Sequence, residues 1–318
     1  MGAAAGLAAV TAVTALGRIG RDTPPLFRSL RSTPHELSWS GFRVVYYTAG
    51  PEETEPVVLV HGVHAAASAW EMRELFDRLA AAGLRVIAYD LLGFGASDRP
   101  DVDYDADLYQ DLLRSVLTEI AGGPAHVVAS SLSGAHALQL AGAEPERFRS
   151  LALINPTGLL TQAESQRTKG RWLQGALRSP WLGKALFNLL VSRPSLRYYY
   201  AGKLYRTEGG SEEERQAEEI VEQGYRAAHQ AGARFAPAAF LGDALAANAY
   251  MALRTLEVPA LAVWSQSGLQ ETERERDAFA GVAPGVRQVW IEECGALPHE
   301  ERPDEVIGEL EGWWKSLA

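Results

Sequence analysis

The sequence predicts an α/β protein, a mostly parallel sheet with helices on both faces and a helical insertion late in the chain. Three observations predict it. Short continuous apolar runs at residues 57–60, 84–89 and 125–129 alternate with segments of helical spacing. The run 57–60 is apolar throughout, as a strand buried on both faces requires. The alternation stops at Pro156 and resumes near Val258, with only helical patterns between. A chain of 318 residues holds one large α/β core with an inserted piece.

Taken in order, residues 1–36 form an apolar segment and a linker. Residues 1–16 carry no charge and are rich in alanine, and Pro24, Pro25 and Pro34 punctuate the linker. No positively charged region precedes the apolar run, so it does not read as a signal peptide. It is too short and too weakly apolar for a spanning helix. It reads as a helical tail on the body, with a weak membrane anchor as the sharper alternative. Residues 37–39 and 42–47 alternate around Ser40-Gly41, the pattern of an antiparallel hairpin. The core then runs strand 57–60, helix 69–82, strand 84–89, helix 108–120, strand 125–129, helix 132–143 and strand 151–155. Gly83 and Gly122-Gly123-Pro124 close the first two helices. Residues 156–257 form a helical cap, with helices at 172–190, 197–205, 211–230 and 237–256 and many aromatic side chains. The core resumes with strand 260–264, a helix near 271–280, strand 286–290 and a final helix at 303–317, giving a core of 37–155 and 258–318.

Composition narrows the function. The formal net charge is −10 and the pI near 5.3, which argues against nucleic acid and anionic membrane surfaces as partners. The single cysteine, Cys294, excludes an internal disulfide and fits a reducing, cytoplasmic setting. No metal-ligand spacing is visible, and the turn Gly93-Phe94-Gly95 does not match a dinucleotide fingerprint, so no cofactor is implied.

The stretch 127–135 passes from a β-branched run through small residues into a helix, with Ser131 at the bend. A strand–turn–helix elbow reads this way, although Ala129 and Ser133 stand where glycines usually flank the serine. With His61-Gly62 after the first buried strand, Asp90-x-x-Gly-x-Gly-x-Ser-Asp98, Val258-Pro259 and Gly295-x-x-Pro-His-x-x-x-Pro303, the chain from Leu37 onward resembles the α/β-hydrolase superfamily. The resemblance implies a nucleophile, an acid and a histidine in that order. Ser131 fills the first place. The acid would fall at Gly268, and the histidine at Ala296, so two of the three groups are replaced. The resemblance also implies an oxyanion-binding region at Gly62, Val63 and Leu132.

A serine hydroxyl needs a base. Of the seven histidines, His61, His126 and His136 read as structural. His64 sits in the oxyanion loop and is the first candidate for a displaced base, with His229 and His299 behind it. The expectation is a protein of this fold with a degenerate triad that binds a small apolar ligand between core and cap, without conventional hydrolysis. The alternative is an esterase in which Ser131 is served by His64.

Overall fold

The computed structural model describes residues 24–26, 28–159, 164–205, 211–265, 276–277, 279–283 and 285–317, and of these the backbone alone at 164–169, 202–203 and 211–216. Eight strands form one sheet: β1 (Pro34–Trp39), β2 (Phe42–Ala49), β3 (Pro56–Val60), β4 (Arg85–Tyr89), β5 (Ala125–Ser130), β6 (Phe148–Ile154), β7 (Ala260–Ser265) and β8 (Arg287–Ile291). Their order is β1-β2-β4-β3-β5-β6-β7-β8. The β1–β2 and β2–β4 pairs are antiparallel and the rest parallel.

The continuous apolar runs arise from this topology. Alternate residues of a strand face opposite sides. Val58 and Val60 of β3 enter the core on one side of the sheet, while Val57 and Leu59 enter the core on the other. Val127 and Ala129 of β5 share the first side, and Val128 lies on the second. The helices α1 (Arg73–Ala81), α2 (Ala106–Ser115) and α3 (Leu132–Ala143) divide between these faces. Leu75, Phe76 and Leu79 of α1 cover one, and Leu112 and Leu113 of α2 with Leu138 of α3 cover the other.

Asp90 fixes the loops at the carboxyl end of β4. It is fully buried and accepts hydrogen bonds from the N–H of Ala69 at 2.7 Å and of Ala96 at 2.9 Å. Ser29 Oγ reaches the same carboxylate at 3.2 Å, so the linker before the sheet is tied into the core. Gly95 has φ +50, and a Cβ there would lie 1.8 Å from Asp90 Oδ1. The glycine-rich turn is therefore steric in origin.

Between β6 and β7 the described residues hold helices and no strand: α4 (Glu164–Arg178), α5 (Leu182–Leu190), α6 (Arg193–Tyr199), α7 (Ser211–Ala228), α8 (Phe235–Leu241) and α9 (Tyr250–Arg254). The single helix expected at 172–190 is two, parted at Ser179-Pro180, because proline cannot continue a helix. The helix expected at 197–205 begins at Arg193 and passes into a wide turn at Tyr200–Leu204. The helix expected near 271–280 lies mostly outside the described residues. The chain ends with α10 (Pro298–Glu301) and α11 (Pro303–Leu317). No helix among the described residues is long and apolar enough to cross a membrane.

Candidate active site

The elbow is formed. Ser131 has φ 52 and ψ −128, a strained conformation for a residue with a side chain, and lies between the last residue of β5 and the first of α3. Its N–H donates to Ile154 O at 2.9 Å, and its carbonyl accepts from Gly134 N at 3.0 Å. Close packing explains the small neighbours. A Cβ on Gly62 would come 3.3 Å from Ser131 Cβ, and one on Gly134 would come 3.3 Å from Leu153. Ser133, where glycine is usual, uses its hydroxyl to donate to the carbonyl of His61 at 2.7 Å.

The hydroxyl of Ser131 has a hydroxyl partner, Thr157 Oγ1 at 3.2 Å. Thr157 lies on the loop after β6, and its own N–H donates to Ser131 O at 3.3 Å.

Ala296 is buried. Its carbonyl accepts from Asn155 Nδ2 at 2.8 Å, and its N–H donates to Leu204 O in the helical insertion at 2.6 Å. Asn155 ends β6 in the left-handed region, at φ 40, which asparagine tolerates better than most residues. Its Nδ2 also donates to Ser265 Oγ at 2.8 Å, and its Oδ1 accepts from Ser265 N at 2.9 Å. Asn155 thus bridges the ends of β6 and β7 to the loop at 296. The amide donates to that carbonyl and accepts from that N–H, which an ionised carboxylate, an acceptor only, could not do.

Beneath the loop after β3 lies a buried cluster of titratable groups. Both carboxylate oxygens of Glu71 accept from Gly62 N, at 3.2 and 3.1 Å. His299 is fully buried, with Nε2 3.3 Å from Glu71 Oε1. Burial alone would raise the Glu71 carboxyl. The imidazole of His299 beside it and the nearby His64 and His61 outweigh burial and hold it down to about 2. The point where a Gly62 Cβ would sit is 3.2 Å from Glu71 Oε2 and 3.3 Å from Ser131 Cβ, so the carboxylate and the serine flank one glycine.

His61 Nδ1 donates to Gly62 O at 2.7 Å, and its Nε2 accepts from Leu91 N at 3.1 Å. These bonds set one neutral tautomer. His64 Nδ1 accepts from Ala66 N at 3.3 Å, and its ring lies 6.0 Å from that of Tyr200. Burial pushes its pKa down to about 4, against the pull of Glu71.

The comparisons with known proteins agree with this architecture. A model described as the Alpha/beta hydrolase family matches residues 57–309. The chain belongs to the α/β-hydrolase family.

Within that family, a 2-hydroxymuconate semialdehyde hydrolase of Pseudomonas sp. (strain CF600) is 38% identical over 105 residues, covering 33% of this chain and 37% of that protein. A haloalkane dehalogenase of Psychrobacter cryohalolentis is 36% identical over 124 residues, covering 37% of this chain and 40% of the relative. The chain thus spans less than half the length of these two curated relatives. Among solved structures, the 2-hydroxy-6-oxo-6-phenylhexa-2,4-dienoate hydrolase from Rhodococcus sp. strain RHA1 superposes with a TM-score of 0.70 at 22% identity, covering 89% of this chain and 100% of that one. An enol-lactonase from Burkholderia xenovorans LB400 gives 0.70 at 16%, covering 88% and 100%. At these identities the likeness speaks to the fold.

The structure brings Ser131, Gly62 and Glu71 together and carries His299 and His64 beside Glu71. Gly62, expected in the oxyanion region, spends its N–H on Glu71 instead. Leu132 opens α3, where first-turn N–H groups have no partner within the helix. Position 268 lies outside the described residues. His229, expected as a group that could hang over the site, turns back to its own helix, donating from Nδ1 to Tyr225 O at 2.8 Å. His136 donates from Nε2 to Leu245 O, His126 meets Ser150 Oγ, and Cys294 is buried with Sγ on Ile291 O. Sequence reasoning missed Glu71, Asn155 and Thr157. Asn155 carried a signal, a polar residue directly after the apolar run Leu151 to Ile154.

Proposed function

We propose that this member of the family binds a small, largely apolar ligand bearing a carbonyl or carboxylate oxygen between the sheet and the helical cap, and does not run serine–histidine–acid hydrolysis. One observation carries the reading. Where a triad would hold its imidazole, Ala296 is clasped between the amide of Asn155 and the carbonyl of Leu204. Gly268 at the acid position, read from the sequence, agrees.

The remaining groups are poor substitutes for the base. Efficient general bases have pKa values near the working pH. Glu71 is held at about 2 and His64 at about 4, so both accept a proton weakly at neutral pH. Ser131 Oγ is paired with Thr157, which cannot serve as a base. The ligand oxygen would meet the N–H groups of Val63 and Leu132, with the positive end of α3 behind them. Conventional hydrolysis served by His64 is the weaker reading, because the pKa of that imidazole is pushed down to about 4 and its Nδ1 already accepts from Ala66.

A fluorophosphonate probe tests the proposal. The expected result is no labelling of Ser131 above the Ser131→Ala background, and no turnover of short p-nitrophenyl esters. Rapid labelling at Ser131, with ester turnover lost in Ser131→Ala, would overturn it.

A further inference from the structure

We infer that the face formed by α4, α5 and α6 is a docking surface for an anionic lipid bilayer. Seven of the eleven exposed large apolar residues among those described fall between positions 172 and 198. Leu182, Leu186, Leu189 and Leu190 recur at helical spacing on α5 and face solvent, while Gly183, Ala185 and Phe187 face inward. A surface helix normally turns a polar face outward. Trp181 precedes this helix 88% exposed, and Trp172 on α4 is 77% exposed. Tryptophan and leucine on an outward helix face, with cations at the rim, suit the interfacial region of a bilayer.

The charge of the chain is segregated in the same place. Residues 164–205 hold eight Lys or Arg and one acidic residue, Glu164. The rest of the chain holds the remaining 22 basic and 39 acidic residues. A total of −10 therefore conceals a locally basic stretch, and the exclusion of anionic membranes read from the total does not apply to this face. Part of the positive charge is neutralised within the fold: Arg178 pairs with Asp101 and Asp103, Arg193 with Glu222 and Arg197 with Glu218. Lys184 is exposed on α5, three residues after Trp181. A second copy of the chain fits less well, since a symmetric contact would set basic stretch against basic stretch.

The entry of the chain adds a second element. Pro24 O accepts from Gln230 Nε2 at 2.9 Å and Pro25 O from Arg226 Nη1 at 3.2 Å, so the linker joins the insertion at the end of α7. Docking through this face is independent of the fate of Ser131, because it needs neither hydrolysis nor its absence.

The test is sedimentation of the full chain with vesicles of phosphatidylglycerol and phosphatidylcholine, or of phosphatidylcholine alone. The expected result is salt-sensitive binding to the anionic vesicles with a blue shift of tryptophan emission. The triple variant Trp181→Glu, Leu186→Glu, Leu189→Glu should lower the bound fraction ~10-fold or more. All three side chains are exposed, so its circular dichroism and melting should match the parent. A deletion of residues 1–16 should still bind through the face. Three results would overturn the inference: no binding to anionic vesicles; binding by the triple variant equal to the parent, which would assign the anchor to the N-terminal segment; or a dimer in solution that the triple variant dissolves, which would assign the face to a second copy.

Discussion

Asn155 and Ala296 are joined by a 2.8 Å hydrogen bond from a side-chain amide to a main-chain carbonyl, across the gap between β6 and the loop before α10. In a serine hydrolase of this family that loop would present an imidazole. Here the loop presents its backbone carbonyl to the Asn155 amide, which also holds Ser265 at the end of β7.

Asn155→Ala should be costly for stability. It removes the partners of Ala296 O, Ser265 Oγ and Ser265 N, all buried, and puts alanine at φ 40. A loss of about 3 kcal/mol is expected from unsatisfied buried groups together with backbone strain. The denaturant midpoint at unchanged m-value measures it, and a change of under about 1 kcal/mol would show that the network is dispensable.

Restoring the imidazole should not restore a hydrolase. Ala296 packs in the apolar cluster that includes Leu297, Tyr200 and Leu204. A histidine there overfills the site and should cost about 1–3 kcal/mol. Ester turnover of Ala296→His is expected to stay at the Ser131→Ala background, because on the proposed reading the position for the orienting carboxylate is Gly268. Steady-state assays with p-nitrophenyl acetate check this.

Stability should fall with acid in two windows. The folded-state pKa of buried His136 is pushed by burial from 6.5 down to about 4, so the unfolded chain binds the proton first. Its contribution is complete above 6.5 and is lost as pH falls toward 4, amounting to about 3 kcal/mol. Glu71 is depressed from 4.5 to about 2, so its contribution is present above 4.5 and is lost as pH falls toward 2. Denaturant melts across this range should show both slopes. His136→Gln should reduce the first slope, to which His64 with its pKa near 4 also contributes, and leave the second.

Gly95→Ala should fail to fold or lose more than about 3 kcal/mol. The new Cβ would overlap the Asp90 carboxylate that holds Ala69, Ala96 and Ser29. Gly41→Ala is the control. That residue also has positive φ, yet nothing lies within 4 Å of its would-be Cβ, so only the smaller conformational cost remains. Thermal melts of the two variants compare these terms directly.

The core was legible because its signals are local. Val57 to Val60 alternate between two buried faces, which forces an unbroken apolar run, and the helix expected at 132–143 matches the observed Leu132–Ala143. The elbow was legible at Ser131 for the same reason. Glu71 was not, since in Ala69-Trp70-Glu71-Met72 it reads as the polar position of a surface turn. What buries it is the distant α10, which brings His299 alongside. The total charge is a sum over the chain and cannot register where the cations lie.

The hydrogen bond between Ala296 N and Leu204 O links the loop before α10 to the insertion. Lifting the insertion means breaking that bond and parting Ala66, Ala296 and Leu297 from Tyr200 and Leu204. A ligand seated beside Ser131 would then leave no faster than this clasp opens, so residence time, more than affinity, would be set by two residues that need never touch the ligand.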